Sequence, residues 1–139
     1  MAPGGYARDG SLITGSSVEV RVGAELSQMY VLRSLAAALA LRQDFDLDEV
    51  EDVKLAVDEL CSALVLRASD GEQLTCRFDA APHWVGVEAS VPSDSGVPIP
   101  RDTFGWRVLA TLTDELTSWL TSSDGSPSRV FIRMTKTSS

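Results

Sequence analysis

Asp58 and Glu59 sit at the centre of the stretch DFDLDEVEDVKLAVDELCSALVLRAS, residues 44–69, and form the acidic group from which an argument about chemistry can start. Glu59 is a candidate catalytic carboxylate. A solvated acid on an acidic helix is the other reading, and the residue types alone leave both open. The remaining reactive side chains are sparse. His83 has no second ligand or nucleophile near it in sequence, which points to a structural or exposed imidazole. Cys61 and Cys76 are too few for a disulfide framework, and no CxxC or Cys/His cluster suggests a metal, so both read as small buried hydrophobes. Trp84, Trp106 and Trp119 are expected to be core or interface aromatics. Arg33 is of a type enriched at binding hot spots, though common on surfaces too.

The elements that must position these residues follow from periodicity. Val50, Val53, Val57, Leu60 and Leu64 recur at spacings of three and four and draw one apolar stripe down a helix through residues 44–69. Asp46 is the expected N-cap, Glu49 completes a capping box, and Phe45 with Val50 makes a hydrophobic staple. The acids Asp48, Glu49, Glu51 and Asp52 suit the positive end of the helix dipole, and Asp70-Gly71 supplies a stop. Before it, Ser17–Val22 alternates as a strand, and residues 24–42 read as an Ala/Leu-rich helix with Leu32, Leu35, Ala36 and Leu39 inward and Arg33 off that stripe. After it, Glu72–Asp79 and His83–Val91 are strands of a hairpin joined by Ala80-Ala81-Pro82. A loop over 92–103 leads to a helix from about Phe104 to Asp114, with Val108, Leu109 and Leu112 inward. Leu116–Thr121 and Arg129–Thr135 are strands either side of an SSDGSPS turn. The order β-α-α-β-β-loop-α-β-β predicts an α/β fold: a two-layer sandwich, its mixed, mostly antiparallel sheet carrying three helices on one face.

The chain has 139 residues, enough for one domain with a real core, and its 44% hydrophobic and 23% charged content is that of an ordinary soluble globular protein. No apolar run is long enough to span a bilayer, and the stretch MAPGGYARDGSLITGSS lacks the pattern of a signal peptide, so a cytoplasmic protein is expected. Residues 1–16 are expected to form a disordered tail before a domain over 17–136. The net charge of −8 argues against direct nucleic-acid binding and is compatible with a basic protein partner.

The element order, together with VDELCSALVLRAS, resembles the GHKL (Bergerat-fold) ATPases, and within them is most similar to the RsbW-type anti-sigma factors and serine kinases. The resemblance runs from about Val18 to Met134 and is carried by DVKLAVDELCSAL, SDSGV and FGWRVLATLTDEL. The last, with an aromatic just after its glycine, is similar to the actinobacterial branch that restrains sigma-F/sigma-B-type stress and sporulation factors.

The resemblance implies roles for particular residues. Active members carry a Glu that acts as general base or orients water and, four residues on, an Asn that binds the magnesium bridging the ATP phosphates. Glu59 matches the first, but the second is Ala63, which has no ligand atom, so no metal is expected. The Asp of the next box, which takes the adenine amino group, matches Asp94, followed by Gly96. Its second glycine is replaced by Pro98, which fixes φ and deletes a donor. As a residue of a Ser/Asp/Gly loop, Asp94 reads equally as a turn former. Of the phosphate-cradling G-x-G turn only Gly105 remains, Thr103 standing for the first glycine, and Gly105 reads also as a plain helix-start residue. The loop between these boxes, a lid over ATP in active members, is short.

Arg33 matches the first-helix arginine that contacts both the sigma factor and its competing antagonist, with Tyr30 one turn away. The resemblance therefore implies an anti-sigma factor that sequesters a sigma factor, is released by a STAS-type anti-anti-sigma protein, and lacks kinase activity. An ATP-dependent serine kinase acting on that antagonist is the rival, and a nucleotide-sensing fold with another protein target is a third reading. No cofactor is expected, residual ATP binding stays open, and so does homodimer formation, which in this family commonly uses the sheet edge and first helix.

Overall fold

The computed structural model describes residues 16–123 and 125–139. The expected tail lies outside these residues except for Ser16, which begins β1. The elements are β1 (Ser16–Gly23), a 3-10 turn (Leu26–Gln28), α1 (Met29–Arg42), α2 (Leu47–Val65), β2 (Gln73–Ala81), β3 (Trp84–Pro92), α3 (Phe104–Leu112), β4 (Glu115–Ser123) and β5 (Ser126–Thr137). The strands form one five-stranded sheet in the order β1-β2-β3-β5-β4, and all four pairings are antiparallel. This is the expected two-layer α/β architecture.

Side chains that alternate along the strands decide which face is covered. Leu74, Cys76, Phe78 and Ala80 of β2, Val85, Val87, Ala89 and Val91 of β3, and Val130, Ile132 and Met134 of β5 are buried in one apolar core with the helices. The inward stripe of α2 is as the spacing predicts: Val53, Val57, Leu60 and Leu64 are fully buried, and Val50 nearly so. Its start is fixed by the capping box. Asp46 Oδ1 accepts from the Glu49 amide at 2.8 Å, and the Asp46 amide donates to Glu49 Oε1 at 3.0 Å. On the opposite sheet face the Trp119 and Phe131 rings stack 4.9 Å apart, and the Trp84 indole lies over Gly86, where a Cβ would come within 2.5 Å of it. Trp84 and Trp119 are thus sheet-face aromatics, and Trp106 alone of the three packs on the core.

Several boundaries differ from the sequence reading, each for a local reason. Ala24 lies in a bend, and a 3-10 turn precedes α1, so the helix starts at Met29. α2 ends at Val65, ahead of Asp70-Gly71; a turn follows, and Gly71 with φ 75° serves the bend into β2. Ala80 and Ala81 stay in β2, since Ala81 pairs with Trp84, and the hairpin turn is Pro82-His83. Such a two-residue connection needs left-handed backbone, which His83 supplies with φ 60°; it is a turn residue and does not open the strand. Ser123 pairs with Ser126, so both belong to strands and not to the SSDGSPS turn. α3 stops at Leu112, and Val108 faces an outer groove with Phe104 while Trp106 turns inward in its place.

Leu60 is fully buried between α2 and the sheet, so Leu60→Ala is expected to cost about 2–5 kcal/mol in denaturant melts, the range for a core leucine. A loss below about 1 kcal/mol would contradict the packing of this stripe. Burial, with Asp58 adding to it, pushes the Cys61 thiol from an ordinary 9.0 up to about 12, and burial raises Cys76 well above the same value. An unfolded thiol ionises first on the alkaline side while the folded one keeps its proton. The thiols' contribution to stability is therefore fully present below pH 9.0 and is lost as pH rises from there toward about 12. Urea melts across that window should show the decline, and Cys61→Ala should flatten it; an equally steep decline in the variant would refute the assignment.

Candidate functional site

α2 is flanked by α1 on one side and α3 on the other, and its central acids divide between them. Consecutive helix residues are turned by about 100°, so Asp58 and Glu59 cannot share one environment. Asp58 faces α1. Both of its oxygens lie 3.1 Å from Nη1 of Arg33, and the two side chains are 35% and 38% exposed. Beside this ion pair the surface is apolar: Tyr30 is 58% exposed and Leu26, a turn earlier, 64%. The sequence reading grouped Asp58 with Glu59; what Asp58 does is hold Arg33, a pairing across 25 positions that no local pattern announces.

Glu59 faces α3. With Ser62 and Ala63, three and four positions on, it forms one wall of a cavity of about 330 Å³. Leu66 and Arg67 continue that wall. Ile99, Pro100, Thr103, Gly105, Trp106 and Leu109 supply the rest. Thr103, which the sequence reading took only as a lost glycine, is the N-cap of α3: its Oγ1 accepts from the Trp106 amide at 3.2 Å, and its carbonyl accepts from the Arg107 amide at 3.2 Å. Gly105 lies close to the opposite wall. A Cβ there would lie 2.9 Å from Oε2 of Glu59.

The segment before α3 is held at both ends, with residues 95–98 between them exposed. The Ser93 amide donates to the Ser128 carbonyl at 2.8 Å and the Asp94 amide to Ser69 Oγ at 2.9 Å. Ile99 is buried. The Arg101 guanidinium lies 5.7 Å from the Trp106 ring centroid and donates to the Ser118 carbonyl at 3.2 Å, a cation–π contact combined with a backbone anchor.

Glu59, Ala63 and Gly105 are thus brought together, whereas Asp94 and Gly96 lie on an exposed loop outside the cavity wall. Gly96 has φ 61° and serves the turn. Ala63 offers a methyl where the resemblance places the oxygen ligand of a nucleotide-bound magnesium, while Glu59 and Gly105 are both present at the cavity. Ile99, Pro100, Leu66 and Trp106 were missed as site residues. PIPRDT reads locally as a turn-rich loop, and its one legible signal was the Thr that caps the following helix.

No family model matches the chain. It is 35% identical over 120 residues to the anti-sigma-F factor RsbW of Mycobacterium tuberculosis, in each of two strains, a match that covers 82% of this chain and 71% of the relative. It is 26% identical over 119 residues to the serine-protein kinase RsbW of Bacillus cereus, covering 71% of this chain and 74% of that protein. No helix among the described residues is long and apolar enough to cross a membrane.

Proposed function

The chain belongs to the RsbW family of anti-sigma factors, and on that premise we propose that it binds and sequesters an alternative sigma factor of the stress or sporulation type. In this reading a STAS-domain anti-anti-sigma protein competes for the same surface and releases the sigma factor, and no phosphate is transferred. The observation that carries the binding surface is Arg33, braced by Asp58 beside the exposed Tyr30. The Asp58 carboxylate engages Nη1, and among the described residues Nε and Nη2 of Arg33 make no hydrogen bond. An arginine held in place before binding loses less side-chain freedom on association, which is how a few anchors come to dominate an interface. The net charge of −8 suits a partner whose DNA-binding regions must be basic, and favours fast encounter with it.

A serine kinase acting on the antagonist is the second reading, favoured by the retained Glu59 and by the name of the Bacillus cereus relative. The substitutions at the other positions weigh against it. Ala63 removes the magnesium ligand, Pro98 removes a backbone donor, and Thr103 replaces a glycine of the phosphate turn.

Surface-binding kinetics against candidate sigma factors test the first reading. The complex is expected to form without ATP and to weaken in salt mainly through its association rate. Arg33→Ala should loosen it by ~1–3 kcal/mol through the dissociation rate. Because the ion pair is more than a third exposed, the same change should leave folding stability within about 1 kcal/mol, so a lost complex reports binding. Strict dependence on ATP, or unchanged affinity in the variant, would refute the corresponding half of the claim. For the second reading, radiolabelled ATP should give no transfer to a serine of the antagonist. Transfer that disappears in Glu59→Ala would promote the kinase.

A further inference from the structure

The cavity between α2 and α3 has a chemistry of its own, and we propose that it is a binding site for a small aromatic ligand that carries an amino or hydroxyl donor and no phosphate. At about 330 Å³ it lies at the lower end of the range of roughly 300–1,000 Å³ in which ligand sites fall, enough for one ring system with a short substituent. Its walls are mostly apolar: Ala63, Leu66, Ile99, Pro100, Trp106 and Leu109. A mostly apolar lining with a few polar groups is the usual make-up of a small-molecule site.

The polar residues of the lining are Glu59, Ser62, Arg67 and Thr103. At one end is the first turn of α3, where exposed amides would ordinarily draw an anion. Here the Trp106 amide is taken by Thr103 Oγ1, and the Glu59 carboxylate lies against Gly105, its Oε2 2.9 Å from where a Cβ on that glycine would sit. The protein has thus put its own anion where a phosphate would arrive. A second anion would meet like charge beside a low-dielectric wall, whereas a ligand N–H or O–H would meet an acceptor. No hydrogen bond or ion pair among the described residues engages that carboxylate, the neighbouring Asp58 being the one that pairs with Arg33. Arg67 also lines the cavity, eight positions on and just past the end of α2. Arg101, stacked on Trp106 and bound to the Ser118 carbonyl, is not part of the wall. The selectivity set by Glu59 is therefore against phosphate and for a donor.

The test follows the indole resonance of Trp106 in the full ¹⁵N-labelled chain, assigned with Trp106→Phe, during titration with 2-phenylethylamine, 2-phenylethanol, 3-phenylpropionate and Mg-ATP. The amine and the alcohol should give saturable shifts, and the carboxylate should bind at least about tenfold more weakly than the amine. Mg-ATP should neither shift the resonance nor displace the amine. Glu59→Gln should bring amine and carboxylate to within about threefold of each other, because the shape is kept and the charge is lost. Ala63→Phe, whose ring would occupy the cavity, should abolish the shifts while keeping a cooperative melt; if it does not melt cooperatively, Ala63→Leu takes its place. The proposal is overturned if no probe saturates, if Mg-ATP displaces the amine, if the cavity-filling variant binds as wild type does, or if Glu59→Gln leaves the preference intact.

Discussion

One packing constraint governs the rest: the apolar stripe of α2 is pinned against the sheet. Val53, Val57, Leu60 and Leu64 are fully buried, so the helix cannot rotate about its axis without exposing them. The capping box at Asp46 and Glu49 fixes where the helix begins, which sets its register along the sheet. With rotation and register both held, the direction of every other α2 side chain is decided. Asp58 is delivered to α1 and Glu59 to α3, and the two acids at the centre of the chain acquire different partners.

That division organises the surfaces. On the α1 side, an arginine is braced across the helix pair beside exposed Tyr30 and Leu26, a half-apolar, half-charged patch of the composition that protein interfaces favour. On the α3 side, a carboxylate closes against Gly105, Thr103 takes up the Trp106 amide of the helix start, and the preceding segment is stapled down by Ile99, Arg101 and two backbone hydrogen bonds. An ATP site needs an open helix N-terminus, a metal ligand and a cover able to close. Here the first is partly filled from within, the second is a methyl group at Ala63, and the third is tied to α3 and β4.

The sequence by itself determined the order of the elements, the layered α/β plan, the start of α2 to the residue, and the inward stripes of α1 and α2. It could do so because these rest on short-range physics. Apolar residues repeat with the helix or strand period, and a capping box closes over four consecutive positions. Glu59, Ala63 and Gly105 were singled out by spacing along one helix and by resemblance to a family, and they do line one cavity. Only the tertiary structure decided the remainder. Arg33 and Asp58 are separated by 25 positions, Arg101 and the Ser118 carbonyl by 17, and the Ser93 amide meets the Ser128 carbonyl across a hairpin and a helix. Asp94 and Gly96 carry a familiar motif, yet they stand outside the cavity because their loop is anchored to Ser69 and Ser128 rather than folded over α2. Such contacts depend on how the helices and loops come to rest on the sheet, and that is fixed by burial of the whole core at once and not by any local stretch of chain.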